Sequence, residues 1–304
     1  MKAIVFAYHN MGIIGINKLL KAGFDIPLVF THQDNPDENI WFGSVVDLCK
    51  KLPIEYVTPE NPNSPEWIKQ IQDIKPDIIF SFYYRYMISK DILEIPHLGA
   101  YNLHGSYLPT YRGRCPINWV IIKGESYTGV TLHEMVEKPD AGPIVAQKKV
   151  KIENNDTTLS LFKKLGDAAS DMLDEVLPEM NRGVISKTPQ DLSKGSYFCG
   201  RKPEDGRIIW SAPAEEIYNL IRGVTKPYPG AFGFLSGKKI IFWWATVDNS
   251  PAISPGKIII DGKKILISTG RGSIIPHEIE LEGKPFKEKD LYQIFERYKG
   301  ETLQ

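Results

Sequence analysis

The sequence predicts two domains of different kinds: an α/β domain on a mostly parallel, doubly wound sheet, and a smaller β-rich, barrel-like C-terminal domain. In the first half, short apolar runs alternate with stretches of helical spacing. Toward the end, short strands follow one another through Gly-Lys turns. Between these halves lies a segment rich in Ser, Gly, Lys and Pro. These features place the α/β domain at 1–188, a linker at 189–203 and the β-rich domain at 204–304.

The first strand is "KAIVFA" (2–7), apolar without alternation, as a strand buried on both faces must be. "GIIGINKLLKAG" follows at helical spacing and stops at Gly23. "IPLVFTH" (26–32) is the second strand, after which come a helix from Ser44 to Lys51 and the short strand "IEYV". The next helix has Ser64 at its N-cap and Pro65 at its first position. "DIIFSF" (77–82) and "GAYNL" (99–103) are further strands, and ligands of such sheets bind beyond the carboxyl ends of the strands. "TGVTLHEMV" and "GPIVAQKKVKI" read as a pair joined through "EKPDAG", with a long helix over about 158–181. One helix (about 214–224) then precedes the strands "FGFLSGKKIIFWWATV", "GKIIIDGKKILIST" and "HEIEL", whose "SGKK" and "DGKK" turns signal hairpins.

Lys+Arg and Asp+Glu balance at 37 each, so no net field draws the chain to nucleic acid or to an anionic membrane. From Arg201 onward there are 16 Lys and Arg against 13 Asp and Glu, a thin excess for a tRNA-binding surface. "MKAIVFAYHNMG" is too short and too polar for a signal peptide, and no run of about 18 apolar residues occurs. Cys49, Cys115 and Cys199 are far apart and lack metal-ligand spacing. The expectation is a cytoplasmic, metal-free protein with no membrane insertion and no nucleic-acid partner; a homo-oligomer stays open. Gly12 and Gly15 do not make the G-x-G-x-x-G turn, which sets a nicotinamide enzyme aside. A helix N-terminus after His9–Gly12 could still receive a phosphate group.

The chemistry concentrates in "YNLHGSYLPTYRGRCPINW" (101–119), polar loop sequence at the end of an apolar strand. Asn102 and His104 are two apart, so on an extended segment they project to one face. An amide N–H can stabilise a developing oxyanion while an imidazole moves a proton, the two needs of acyl transfer. Asp140 in "EKPDAG" is a turn residue on backbone preference; if the turn folds back beside His104, its carboxylate would raise the imidazole's pKa and orient the ring. Ser106 lacks a G-x-S-x-G elbow and Cys115 lacks a nucleophile signature, so both read as structural. "HEMVE" fails as a zinc helix because position 137 is Glu, leaving His133 as a strand residue. Arg112 and Arg114 are candidates for gripping an anionic ligand.

"NLHGSYLPTYRGRCPINW" and "GESYTGVTLHEMVEKPDAGPIVAQ" resemble the 10-formyltetrahydrofolate-dependent formyltransferase family. Members pair a Rossmann-like formyl-transfer domain with, in several branches, a smaller β-rich domain. "FAYHNMG", "FTHQDNP", "SFYYR", "GRKPEDGRIIW" and "PYPGAF" extend the likeness along nearly the whole chain, toward the branch that formylates UDP-4-amino-4-deoxy-L-arabinose. In many bacteria that branch is half of a bifunctional polymyxin-resistance enzyme acting in lipid A modification. The resemblance implies His104 as proton donor, Asn102 as oxyanion stabiliser and Asp140 as the group raising the His pKa. It implies folate held by Tyr86, Met87 and Ile88, by Arg114, and by Val136, Glu137, Lys138, Pro139 and Asp140. A nucleotide-linked amino sugar is the implied acceptor, contacted around His9–Gly12, Arg112, Asn118 and Trp119. The alternatives are methionyl-tRNA formylation and a non-catalytic protein binding folate or a nucleotide sugar.

Overall fold

The computed structural model describes residues 1–304. Met1–Pro116, Tyr127–Lys151 and Phe162–Cys199 make one compact unit; Ile117–Ser126, Ile152–Leu161 and Gly200–Gln304 make another. No helix is long and apolar enough to cross a membrane.

In the first unit β1 (Lys2–Ala7), α1 (His9–Lys21), β2 (Asp25–Phe30), α2 (Val45–Lys51), β3 (Tyr56–Val57), α3 (Pro65–Ile74) and β4 (Ile78–Phe82) alternate strand with helix. A short α4 (Lys90–Leu93) leads to β5 (Ala100–His104), and β6 (Arg112–Gly113) lies in the loop beyond. After α5 (Pro116–Ile122) the chain returns as β7 (Tyr127–Glu134) and β8 (Ile144–Lys151). Most of α6 (Thr158–Asn181), and then β9 (Tyr197–Phe198), complete the unit.

Seven strands form one sheet in the order β3-β2-β1-β4-β5-β7-β8. Pairing is parallel from β3 through β5 and antiparallel for β5–β7 and β7–β8. Ala3–Ala7 and all of β4 are buried, and Phe6 stacks on Phe30 at 4.5 Å. Cover on both faces is what makes these runs apolar without alternation. Helix α1 begins at His9, earlier than the spacing suggested, and His9 itself carries a left-handed φ of 64 after the extended Tyr8. Helix α3 starts after Ser64 as expected, although the Ser64 hydroxyl donates to Glu66 at 3.3 Å instead of capping.

The second unit contains α7 (Ala214–Val224), β10 (Ala231–Leu235), β11 (Lys238–Asp248), β12 (Ile258–Asp261), β13 (Lys264–Ser268), β14 (Ser273–Leu281), β15 (Lys284–Lys287) and α8 (Lys289–Glu296). The sheet runs β10-β11-β14-β13-β12, with β15 also on β14, and every pair is antiparallel. Ser236 and Gly237 both have positive φ, the geometry a two-residue hairpin turn requires. Strands β10 and β12 are not bonded to each other; the last residues bridge them. Phe234 and Gln304 exchange N–H···O bonds of 2.7 and 2.9 Å, while Leu303 donates to Gly256 and Ile258 donates to Glu301. The resulting barrel-like layer encloses Phe242, Ile267, Ile279 and Leu303, packed with Ile217 and Ile221 of α7 and Phe295 of α8.

Candidate active site

The β5–β7 register sets Asn102 opposite His133 and His104 opposite Thr131. Residues two apart on a strand share a face, and directly opposed residues share it too, so all four stand together. Asn102 Nδ2 lies 3.3 Å from His133 Nε2. Asp140, from the loop joining β7 to β8, brings Oδ1 to 3.5 Å from His104 Nδ1 and to 3.5 Å from His133 Nε2. Asn102, His104 and Asp140 therefore meet. His133, read from the sequence as a plain strand residue, is the fourth member; only the strand register reveals it.

Backbone geometry holds the carboxylate in place. Asp140 sits at φ 52, its Oδ2 accepts the Gly113 N–H at 2.8 Å, and Gln190 Nε2 donates to its carbonyl at 3.0 Å. Gly113 has φ 96, and a Cβ there would come 2.1 Å from Phe198 O. That closeness reflects the parallel pairing of β6 with β9, extended by Arg114 N–H donating to Phe198 O and by Tyr111 stacked on Phe198 at 5.0 Å. Residues 189–203, expected as a linker, thus hold one 3₁₀ turn (Leu192–Lys194) and β9, and the part up to Phe198 walls the loop that carries Gly113.

His104 is buried, and its Nε2 lies 2.8 Å from Tyr111 O. A carbonyl oxygen only accepts, so hydrogen-bond logic puts the proton of the neutral ring on Nε2 and leaves the Nδ1 lone pair toward Asp140. Burial pushes the imidazole below its ordinary value; Asp140 and the Tyr111 carbonyl pull it upward, while His133 acts with burial. Burial alone would raise the Asp140 carboxyl, but His104, His133 and the Gly113 N–H outweigh it and hold the group well below the usual carboxylate range. Both directions favour a neutral imidazole beside an ionised carboxylate.

Beyond β5, Ser106 is fully buried and its hydroxyl donates to Thr110 O and Tyr111 O at 2.7 and 3.2 Å. It positions the very carbonyl that holds His104, which is a structural use. Thr131 donates to Ser106 O, and Gln147 donates to Thr131 Oγ1 and Leu108 O, fixing the same loop from β7 and β8. Arg112 is 8% exposed, and its Nε and Nη1 have no hydrogen-bond partner.

Among the residues implied for folate, Met87 is 61% exposed and Tyr86 is exposed beside His32, whereas the Ile88 side chain is in the core, leaving its main chain for any ligand. Asn63 shapes that loop by donating to Met87 O and accepting from the Ser89 N–H. Arg114, Val136, Glu137 and Lys138 are exposed and Pro139 half-buried, next to Gly113 and Asp140 respectively. At the expected acceptor positions, Asn118 spends its amide on Gly223 O at 2.9 Å. His9 is buried against Phe42, Trp41 and Phe162, and burial, aided by Arg85, lowers it to about 3. His32 stacks on Tyr84 and is lowered to about 4 by burial and then Arg85.

A doubly wound sheet that gathers a half-buried amide, a buried imidazole and a half-buried loop carboxylate has the acid–base and oxyanion groups a group-transfer enzyme uses. The formyl transferase family matches residues 1–177 and its C-terminal domain matches residues 201–295, so this chain belongs to the formyl transferase family. Among solved structures it is similar to an N-formyltransferase from Helicobacter canadensis, in complex with folinic acid and dTDP-3-aminofucose. That likeness has 20% identity and a TM-score of 0.69 over 90% of this chain and 98% of that one. WlaRD, a sugar 3N-formyl transferase in the presence of dTDP and 5-N-formyl-THF, gives 20% and 0.69 over 91% and 97%. Methionyl-tRNA formyltransferase from Clostridium thermocellum gives 19% and 0.55 over 89% and 100%.

Proposed function

We propose that the chain transfers a formyl group from 10-formyltetrahydrofolate to the amine of a nucleotide-linked amino sugar, with UDP-4-amino-4-deoxy-L-arabinose the first candidate. The observation that carries this is the meeting of Asn102, His104 and Asp140, with Asp140 Oδ1 3.5 Å from His104 Nδ1. The sugar N-formyltransferases named above, seen with folate compounds and dTDP species, support the choice of donor and acceptor class. The folate is a co-substrate and supplies the formyl carbon.

The protein's part is acid–base and electrostatic. Because Nε2 is committed to Tyr111 O, Nδ1 is the working edge of His104. Neutral at rest, it can accept the proton that the attacking amine sheds, then return it to the departing folate nitrogen, so that one proton serves both halves of the transfer. Asp140 stabilises the imidazolium formed between those steps. An Asn102 N–H meets the formyl oxygen as it takes on negative charge. Tyr86, Met87, the Ile88 main chain, Arg114 and Val136–Asp140 would hold the folate, and Arg112 is suited to an anionic part of a substrate because two of its donors are unpaired.

The test is a panel of UDP- and dTDP-linked amino sugars, incubated with the protein and 10-formyltetrahydrofolate, with formylated product followed by mass. Transfer to one member is expected. No product from any sugar, combined with formylation of charged initiator tRNA, would replace this reading by the methionyl-tRNA one; folate binding with no transfer at all would leave a binding protein.

A further inference from the structure

Beside the trio stands a second imidazole to which the transfer gives no task. His133 is 1% exposed and polar groups meet both its nitrogens. Nδ1 lies 2.9 Å from Glu134 O, an acceptor only, so the neutral ring carries its proton there and leaves Nε2 bare. Nε2 faces two groups, Asn102 Nδ2 at 3.3 Å and Asp140 Oδ1 at 3.5 Å; the amide is the nearer and the only one of the two that can donate to it. A carboxamide has two ends of nearly the same shape, one donating and one accepting. Only the NH₂ end can bond a bare ring nitrogen; turned over, Oδ1 would set lone pair against lone pair. One N–H on Nδ2 is then held by His133, and the second N–H of the same nitrogen stays available.

We propose that His133 is a positioning residue: its Nε2 fixes the Asn102 carboxamide with the NH₂ end toward the reacting oxygen. This rests on the formyl-transfer reading above. Asn102 acts as an oxyanion donor only while its nitrogen, not its oxygen, meets the developing charge. Without an acceptor at position 133 the two orientations compete, and the inverted one repels the charge it should stabilise. The need for a register-matched acceptor explains why a buried strand position holds a polar ring with partners at both nitrogens, where an apolar side chain would cost nothing in hydrogen bonds.

The test compares His133→Phe, which keeps a ring but removes the acceptor, with His133→Gln, whose carbonyl can reach the Nε2 position. Each is made in the wild type and in Asn102→Ala. Expected is a kcat about 10- to 100-fold lower for His133→Phe with KM for the folate donor unchanged, recovery to within a few-fold in His133→Gln, and no further loss when His133→Phe is added to Asn102→Ala. Wild-type kcat in His133→Phe, no rescue by Gln, or losses that multiply in the double variant would overturn it. If His133→Phe does not fold, side-chain ¹⁵N spectra of the wild-type protein decide instead. A protonated Nδ1, a bare Nε2 and an ordered Asn102 NH₂ pair are expected; the opposite tautomer or a rotating amide overturns the proposal. Those spectra need no substrate. A protein that shows them but formylates nothing has lost the formyl-transfer reading and keeps the assigned orientation of Asn102.

Discussion

Ile79 on β4 and His133 on β7 are sealed from solvent in the same sheet, at 0% and 1% exposure. Ile79 pairs with Ile4 and Ala100 in a core that also holds Phe6 and Phe30, side chains that need no partners beyond close packing. Around His133 stand Asn102 Nδ2 at 3.3 Å, Glu134 O at 2.9 Å and Asp140 Oδ1 at 3.5 Å, polar neighbours among which donors have to be matched to acceptors. The two regions teach where one sheet stores stability and where it stores chemistry. The change comes at β5, where parallel pairing gives way to antiparallel and the loop after β7 can carry a carboxylate back to the strand face.

The largest effects are expected among the polar residues. His104→Ala should lower kcat by about 100- to 10,000-fold while the folate still binds; turnover near wild type would remove the imidazole from the chemistry. Asp140→Asn should cost roughly 100-fold, and the acid limb of the kcat/KM profile should move to lower pH. The sign follows because the carboxylate is what raises His104, and burial and His133 remain to lower it. An upward shift would show that Asp140 acts on some other group.

On the apolar side, Phe80→Ala should cost about 3–5 kcal/mol of stability in denaturant titration while leaving kcat of the folded fraction unchanged. A selective loss of turnover would deny the division of labour. Smaller still is a pH effect at His9. Its folded value, about 3, lies below the ordinary 6.5, so the unfolded chain binds the extra proton and stability falls as pH drops below about 6.5. Melting temperatures from pH 7.5 to 5 should slope downward, less steeply in His9→Asn, whose side chain tolerates positive φ; an unchanged slope would place the linkage elsewhere. Least of all, Glu38→Gln should change stability by about 0–1 kcal/mol, since its pairing with Arg85 is half exposed.

Strands β1 and β4 were legible in the sequence because burial on both faces writes itself as an unbroken apolar run. Asn102 and His104 were legible because a spacing of two needs only an extended backbone. Asp140 was visible as a turn residue, but its reach to His104 depends on the Gly113 N–H and on Gln190, fifty positions away. His133 was missed since its meaning lies in being opposite Asn102, and pairing register leaves no local trace. The wall formed by β9 was missed for a related reason: it is fastened mostly through main-chain bonds that the Ser196 and Phe198 carbonyls accept from the Arg112 and Arg114 N–H groups, which any side chains could accompany.

The bridge formed by residues 301–304 in the second unit has its own consequence. Those few residues stand where a sixth neighbour in the ring of strands would be, so their deletion would unzip the layer and bare two adhesive margins at once. A chain lacking these residues should therefore clump in solution before its formyl-transfer half loses shape, which makes residues 301–304 a poor stretch to remove.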